Sequence, residues 1–290
     1  MLSSLFKTKP VIDKASEAWI LDSFTWCLEQ LDGSFFTEHS RLVKPTNEFY
    51  PGKSSSIEEM ATSIFTNTLK YTGMSQWPLK LVKAKSFIQQ PMPQLHLDSR
   101  MRGNNANIKL AAQQNNNHIQ YSLAGKTLTP TLNSSIDIAF SSEQLNQPQD
   151  MVAYLVQVQA RILLSQHSAN NINLSPPGGE GLFAQTIDLV ACFMGFGVIF
   201  ANTAYQFKGG CGSCNNRNLN RQAALPELET TYALALFCVL KGVTFSSLKK
   251  TLKKHLHKPF RQAHQEISLY LQEPSTAQHY QLKSFLDRGC

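Results

Sequence analysis

The segment DMVAYLVQVQARILLSQ, residues 150–166, has the apolar repeat of a buried helix. Its apolar positions recur at helical spacing and lie on one face: Met151, Leu155, Val158 and Ile162. Gln157 and Arg161 are four residues apart beside this face, so both point in the same direction. We therefore predict a helix that starts near Asp150 and directs these two polar side chains into the structure or its main cleft.

A second segment, LFAQTIDLVACFMGFGVIFANTAY at residues 182–205, is almost entirely apolar from Leu189 to Ala201. A bilayer span needs about 20 apolar residues, whereas this run is shorter and begins directly after Asp188. We therefore predict a buried core helix, in which Gly195 and Gly197 allow another helix to pack closely. Since burying an unpaired charge is very costly, Asp188 needs a polar partner inside the protein.

In this order, the two segments resemble the central helices of an uncharacterised bacterial family of zincin-like proteins. The first fits the pattern A-x-L-x-x-x-x-A-x-h-L-L, where h is apolar, and the second fits D-L-x-x-x-F-x-G-x-G-x-x-x-A-N-x-A. The resemblance extends to KPTNEFYPG at 44–52 and YALALFCVLKG at 232–242, so it covers most of the chain. The matching residues in the two helices are Ala153, Leu155, Ala160, Leu163, Leu164, Asp188, Leu189, Phe193, Gly195, Gly197, Ala201, Asn202 and Ala204.

The resemblance implies an HExxH motif in the first helix and an ExxxD motif in the second, as in thermolysin-type gluzincins. In such a site two histidines four residues apart hold one zinc ion, and the adjacent glutamate takes a proton from the metal-bound water. This chain retains only the aspartate of those motifs. The matching positions are Gln157 and Arg161 for the histidines, Val158 for the catalytic glutamate, Ala184 for the ligand glutamate and Asp188 for the aspartate.

The residues at these degenerate positions are unsuited to zinc chemistry. Arg161 is a permanent cation that repels zinc, and Val158 cannot transfer a proton. We therefore predict a non-catalytic site with no metal and no other cofactor. We also predict an ion pair between Arg161 and Asp188 where ligands and metal would have joined the helices, since each charge otherwise lacks a partner. The alternative is that Arg161 extends along the surface to solvent.

The periodicity of the remaining chain predicts an α+β protein of zincin-like fold. Residues 1–145 are expected to form helices at 14–31 and 57–72, followed by a small antiparallel sheet. Its strand-like runs lie between residues 79 and 140: LKLVKAKSF, NIKLAA, HIQYSL and SIDIAF. Residues 146–290 are expected to form a mainly helical half that carries the degenerate zincin helices, either as a second domain or continuous with the first part. An edge strand of the sheet is a predicted place for a partner peptide to add as a strand.

Composition and charge narrow the class of protein. The chain has 290 residues, 42% of them hydrophobic, a net charge of +7 and an isoelectric point of about 9.1. These values are typical of a globular protein that tolerates acidic partners without requiring nucleic acid. The first residues lack the apolar core of a signal peptide, and we predict no membrane span, so the expected location is cytoplasmic.

Three further features indicate chemistry less specifically. Cys211 and Cys214 form a CxxC in a Gly- and Asn-rich loop, where the thiols can be free, share a metal or form a redox disulfide. His167 and Glu180 are candidates for an unconventional metal site, although their spacing matches no recognised ligand pattern. A basic cluster at 249–258 is either a solvated surface or a contact for nucleic acid or acidic lipid. The cluster consists of Lys249, Lys250, Lys253, Lys254, His255, His257 and Lys258.

The function that fits these patterns best is that of a degenerate metallopeptidase-like protein that binds a peptide or protein partner. One alternative is a metal-dependent hydrolase with an unrecognised site, for example at Glu180 and His167. Another is a basic nucleic-acid-associated protein that uses the cluster at 249–258. A redox role for Cys211 and Cys214 is a fourth hypothesis, and it requires an accessible thiolate.

Overall fold

The computed structural model describes residues 9–52, 54–84, 136–170, 175–204, 221–272 and 282, and for residues 165–170 it describes the backbone alone. The described part is mostly helical with one pair of strands, in agreement with the predicted α+β class. The helices are α1 (Lys14–Cys27), α2 (Gly33–Glu38), α3 (Ile57–Tyr71), α4 (Pro148–Asn170), α5 (Phe183–Ala191), α6 (Gly197–Thr203), α7 (Glu227–Leu240), α8 (Phe245–Leu248) and α9 (His257–Gln272). The strands are β1 (Leu79–Lys83) and β2 (Ile136–Phe140).

The two strands pair in parallel, so the prediction of an antiparallel sheet is wrong for them. Leu79 lies opposite Ile136, and the register continues to Lys83 opposite Phe140. Antiparallel neighbours can be joined by a short hairpin, whereas a parallel pair needs a long crossover connection. Residues 84–135 separate these strands and supply that length. The predicted strands NIKLAA and HIQYSL belong to this connection and lie outside the described residues.

Helix α4 is the first of the two helices predicted from the apolar repeats. It begins at Pro148, whose fixed φ and missing N–H suit the first helical position. Asp150, near which the helix is predicted to start, lies in its first turn. There its negative charge interacts favourably with the positive end of the helix dipole. Every side chain but one is buried between residues 151 and 164. The hydroxyl of Tyr154 donates to the Ala139 carbonyl oxygen at 2.8 Å, which joins the helix to β2.

The second predicted helix extends from Gly179 to Thr203 but is interrupted by a kink at Gly195, whose backbone angles are not helical. A 3-10 turn leads into α5, and a π turn at Cys192–Phe196 connects α5 to α6. By length and composition alone this helix of 25 residues could cross a membrane, with a mean hydropathy of 1.8 in its most apolar window. In the folded protein 78% of that window is buried, a degree of burial that core helices share.

The π turn contains a kink at Gly195, onto which a neighbouring segment is anchored. Gly195 has a φ of +97°, a conformation that residues with a side chain rarely adopt. Its carbonyl oxygen accepts from the Val43 N–H at 2.9 Å, and the Ser40 hydroxyl donates to the Phe193 carbonyl oxygen at 3.3 Å. A Cβ atom at Gly195 would overlap the carbonyl oxygen of Arg41. The kink therefore fixes this segment directly against the core helix.

One hydrophobic cluster contains buried side chains from both predicted parts of the chain, from Ile12 to Leu282. Four phenylalanine rings meet inside it, with neighbouring centroids 5.1 to 5.8 Å apart: Phe24, Phe36, Phe193 and Phe237. The Lys241 ammonium donates to the carbonyl oxygens of Phe36 and Thr37, at 2.8 and 2.9 Å, and so satisfies the end of α2. Because burial raises the pKa of each thiol, the buried cysteines are unreactive: Cys27, Cys192 and Cys238.

Helix α3 begins where the sequence predicts it. Ser56 is the N-cap, and its hydroxyl oxygen accepts from a backbone N–H of the first turn at 3.1 Å. Ile64 and Leu69 are buried, whereas Met60 is 36% exposed. Ile57, in the first turn, is 49% exposed. The start of α3 therefore presents apolar side chains to solvent.

Replacing Gly195 with Ala is expected to destabilise the protein strongly. The G195A variant combines a strained backbone with an overlap against Arg41, so we expect its free energy of unfolding to fall by about 3 kcal/mol or more in urea titrations. Gly52 provides the matched control, because its φ is +113° but no atom lies within 4 Å of an added Cβ. G52A should lose only about 1 kcal/mol. Equal losses for the two variants would contradict a role for close packing at the kink.

Candidate functional site

The degenerate motif positions lie on α4 and α5, which pack against each other. Gln157 and Asp188, one from each helix, are in direct contact, since Gln157 Nε2 donates to Asp188 Oδ1 at 2.8 Å. Both residues are buried, as is Val158, whereas Arg161 and Ala184 are half-buried. The position assigned to the first histidine and the retained aspartate therefore meet in the interior of the protein.

Asp188 is a fully buried carboxylate that accepts hydrogen bonds at both oxygens. Gln157 donates to Oδ1. Oδ2 accepts from Nη1 of Arg221 at 3.0 Å and from the backbone N–H groups of Ala224 and Leu225, at 2.8 and 3.0 Å. A buried ionised carboxylate is tolerated only when it is paired and hydrogen-bonded, and this one meets both conditions. Through it, α5 is joined both to α4 and to the chain that precedes α7.

The cation in this ion pair is Arg221, so the predicted pair of Arg161 with Asp188 is wrong. The two paired side chains are 1% and 0% exposed. Arg221 also donates from Nε to Thr203 Oγ1 at 2.9 Å and from Nη2 to the Phe200 carbonyl oxygen at 2.8 Å. Its guanidinium carbon lies 4.1 Å from the centroid of the Phe200 ring. The contact from α4 to Asp188 is made by Gln157. The half-buried Arg161 is not among the groups bonded to Asp188.

Arg221 is the residue that sequence reasoning missed. It lies 33 residues after Asp188, at the end of the stretch QFKGGCGSCNNRNLNRQ, whose composition is typical of a loop. The same stretch contains Lys208 and Arg217, and nothing in the pattern distinguishes them from Arg221. The one available signal was the requirement that a buried Asp188 have a cation. Arg161 meets the same requirement in the sequence, so the requirement alone does not distinguish the two arginines.

Gln157 supplies a hydrogen bond that a metal-bound histidine would supply in the same position. Metal-ligating histidines usually donate their second ring N–H to a carboxylate, which orients the ring. The Gln157 amide donates to Asp188 and, at 3.0 Å, to the Gln222 carbonyl oxygen. Its Oε1 is buried and has no hydrogen-bond partner among the described residues. The Gln157 amide therefore makes a hydrogen bond to Asp188 and carries no imidazole nitrogen.

The other candidate metal ligands are only partly within the described chain. Across residues 9–52, 54–84, 136–170, 175–204 and 221–272, no three His, Cys, Asp or Glu side chains form a group that could hold an ion. Glu180 lies on an exposed turn before α5. The side chain of His167 and the CxxC of Cys211 and Cys214 fall outside the description. A His167–Glu180 site and a metal or redox role for the CxxC therefore stay predictions.

The basic cluster at 249–258 extends over a turn, a 3-10 turn and the start of α9. The leucines beneath it are buried, as expected for an apolar frame: Leu248, Leu252 and Leu256. Its lysines are exposed, and none has an ion-pair partner within 4 Å among the described residues: Lys249, Lys250, Lys253, Lys254 and Lys258. His255 Nε2 is 2.9 Å from Glu227 Oε1, and His257 Nε2 is 2.9 Å from the Leu252 carbonyl oxygen.

Comparisons with known proteins assign no family to this chain. No protein-family model matches it, and searches of curated proteins and of solved structures find no match. The resemblance to zincin-like proteins therefore rests on the sequence patterns, and the function is argued from the residues themselves.

Removing the Arg221 guanidinium is expected to leave an uncompensated charge at Asp188. We expect R221M to lower the free energy of unfolding by about 3–5 kcal/mol, and D188N to have an effect of similar size. The double variant should lose less free energy of unfolding than the losses of R221M and D188N added together, because both substitutions remove the same interaction. Urea titrations of all four proteins measure the difference.

A surface ion pair provides the control for this cycle. Lys83 and Glu58 form a pair in which both side chains are more than half exposed, at 51% and 58%. K83M should therefore change the free energy of unfolding by less than about 1 kcal/mol. Strictly additive losses for R221M and D188N would contradict a direct coupling between the two buried charges.

Proposed function

We propose that this protein is a degenerate, non-catalytic metallopeptidase-like protein that acts by binding a peptide or protein partner. The observation that carries the proposal is the buried network of Gln157, Asp188 and Arg221. It lies at the positions that the resemblance assigns to the first zinc-binding histidine and to the retained aspartate. Amide and guanidinium groups make the contacts there, and neither group is a zinc ligand at neutral pH.

The electrostatics of the network supports a structural role for these positions. Zinc sites in proteins direct several lone pairs, from imidazole, thiolate or carboxylate groups, at one point. The charge of Asp188 is already balanced by Arg221 at 3.0 Å. Val158 and Ala184 supply neither a ligand nor a base. The helix pair therefore has an ion pair and hydrogen bonds where a peptidase would hold an ion and the attacking water.

A surface suited to a partner lies beside the segment PTNEFYPG, residues 45–52. This segment, α3 and the start of α4 enclose a groove of about 380 Å³, a volume within the range of ligand sites. Thr46 lines the groove, and its buried hydroxyl has no hydrogen-bond partner among the described residues. Met60, which is partly exposed, also lines it. Partly exposed apolar side chains that line a groove are a surface on which a peptide can pack.

Zinc binding by ligand-restored variants tests the zincin-like part of the proposal. We expect Q157H/R161H/A184E to bind zinc at least about tenfold more tightly than the parent chain, because three ligands would converge on one ion. The new imidazole at position 157 would still donate to Asp188, as metal-bound histidines do. Isothermal titration calorimetry measures the affinity. All proteins carry C211S/C214S, so that the CxxC does not contribute.

The matched control moves the new carboxylate by one residue. Q157H/R161H/Q185E has the same two imidazoles and the same number of carboxylates added, but its glutamate is rotated about 100° around α5. It should bind zinc at least about tenfold more weakly than the A184E variant. Equal affinities in two variants of equal melting temperature would contradict a zincin-like arrangement. Stoichiometric zinc in the C211S/C214S parent would instead favour the hydrolase alternative, with a site such as His167 and Glu180.

The exposed lysines of the basic cluster favour a second candidate function, the binding of nucleic acid. Arg261, one turn further along α9, extends the positive surface. The ring of Phe245 is half-buried, and the Arg261 guanidinium lies 5.3 Å from its centroid, so it offers little free surface for base stacking. Contacts would therefore be made to phosphates, without sequence preference and with strong salt dependence.

Duplex binding should then depend on lysines of the cluster. We expect K249E/K250E/K254E to lower the affinity for a DNA duplex of about 20 base pairs at least about tenfold at about 50 mM salt, measured by fluorescence anisotropy. K14E/K80E/K83E is the control, since it makes the same change of net charge at exposed lysines elsewhere. Equal losses in both variants would assign the binding to the net charge of the protein rather than to the cluster.

A further inference from the structure

A groove of about 640 Å³ lies between the C-terminal end of α3 and the chain that follows α1. Its volume is sufficient for a small ligand or for a few residues of a peptide. The groove combines aromatic and basic side chains: Phe35, Phe49, Tyr71, His39, Arg41 and Lys70. None of the degenerate zincin positions and none of the lysines at 249–258 contributes to it. It is therefore a separate candidate site.

The groove carries positive charge that its own residues leave unbalanced. Arg41 and Lys70 are exposed, and neither has an ion-pair partner within 4 Å among the described residues. Glu48 also lines the groove, but its carboxylate is already 3.6 Å from the Lys44 ammonium. Since the Glu48 carboxylate is paired with Lys44, Arg41 and Lys70 are two cations in the groove that it does not neutralise. Carboxylate groups of a ligand would complement these two cations.

An aromatic wall stands next to these cations. The rings of Tyr71 and Phe49 meet edge to face with centroids 5.3 Å apart, and the Tyr71 hydroxyl donates to the Phe49 carbonyl oxygen at 3.0 Å. The Lys70 ammonium lies 5.9 Å from the centroid of the Tyr71 ring. Burial raises the pKa of Tyr71, so its hydroxyl stays neutral beside Arg41 at physiological pH. The wall is therefore apolar and held in one orientation.

The backbone that carries Arg41 is fixed before any ligand binds. On one side Ser40 bonds to the Phe193 carbonyl oxygen, and on the other Val43 bonds to the Gly195 carbonyl oxygen. The Arg41 carbonyl oxygen packs closely against Gly195. Groups held on a rigid backbone lose less conformational entropy on binding, which favours affinity and orientation.

We infer that this groove binds a peptide segment in which a carboxylate is adjacent to an apolar or aromatic side chain. The carboxylate contacts Arg41 and Lys70, and the neighbouring side chain packs on Tyr71 and Phe49. Arginine forms paired hydrogen bonds to carboxylates, which orient the ligand as well as attract it. The inference rests on the proposed partner-binding function and deepens it, because it specifies the chemistry of the partner.

Two end-capped, fluorescein-labelled hexapeptides test the inference by fluorescence anisotropy. The acidic probe is Gly-Phe-Asp-Glu-Phe-Gly, and Gly-Phe-Asn-Gln-Phe-Gly has nearly the same shape without charge. We expect the acidic probe to bind at least about tenfold more tightly at about 50 mM salt, and the difference to shrink at about 500 mM. R41Q/K70Q should lose the preference. The control K9Q/K14Q removes the same charge at exposed lysines outside the groove and should keep it.

Three results would overturn the inference. Equal binding of the two probes would remove the carboxylate from the partner's chemistry. A preference that persists in R41Q/K70Q would place the carboxylate outside this groove. The third result compares two competitors of the acidic probe, free phenylacetate and the unlabelled peptide. If both displace the probe at the same concentration, the groove binds small carboxylic acids instead of peptides. The zinc titrations of the ligand-restored variants report on the proposed function separately, so each proposal can fail without the other.

Discussion

The ion pair of Asp188 and Arg221 determines how the central helices are joined. Asp188 lies in an apolar and mostly buried helix, where a lone carboxylate would cost several kcal/mol or would become protonated. Its donors come from α4 and from the residues just before α7, so one carboxylate links three parts of the core. Because desolvation of both ions offsets much of their attraction, we infer that the pair contributes mainly to the specificity of this arrangement.

The kink at Gly195, further along the chain from Asp188, likewise joins a distant segment to these core helices. A regular helix would use the Gly195 carbonyl oxygen within its own ladder, whereas here it accepts from Val43. The segment held in this way continues directly into PTNEFYPG and carries residues of both grooves. A buried backbone feature thus positions side chains that are themselves exposed, among them Arg41. The proposed binding surface is therefore coupled to the core through backbone contacts, not through the degenerate motif.

The sequence predicted those features that depend on local pattern. Period and apolar content were enough to predict α4 and the helix that contains Asp188, because each helix follows from neighbours three or four residues apart. The prediction failed where distant parts of the chain meet. The parallel pairing of β1 and β2 joins strands that lie far apart in the sequence. Arg221 pairs with Asp188 from a stretch that has no periodic apolar pattern. Gly195 was recognised as a close-packing residue, but its positive φ and its contact with Arg41 depend on tertiary structure.

In the proposed degenerate site, the loss of the metal and its ligands leaves the remaining aspartate without its usual hydrogen-bond donor. A zinc ion holds its helices together through its ligands, and a carboxylate behind those ligands is satisfied by the imidazole it orients. Once the ligands are gone, a retained carboxylate in a dry core must be protonated, removed or given other donors. The third solution is the one seen at Asp188, where Gln157 keeps the orienting hydrogen bond and Arg221 supplies the charge. These contacts keep both helices joined without a metal ion, so in the proposed degenerate site the surface grooves do not depend on one.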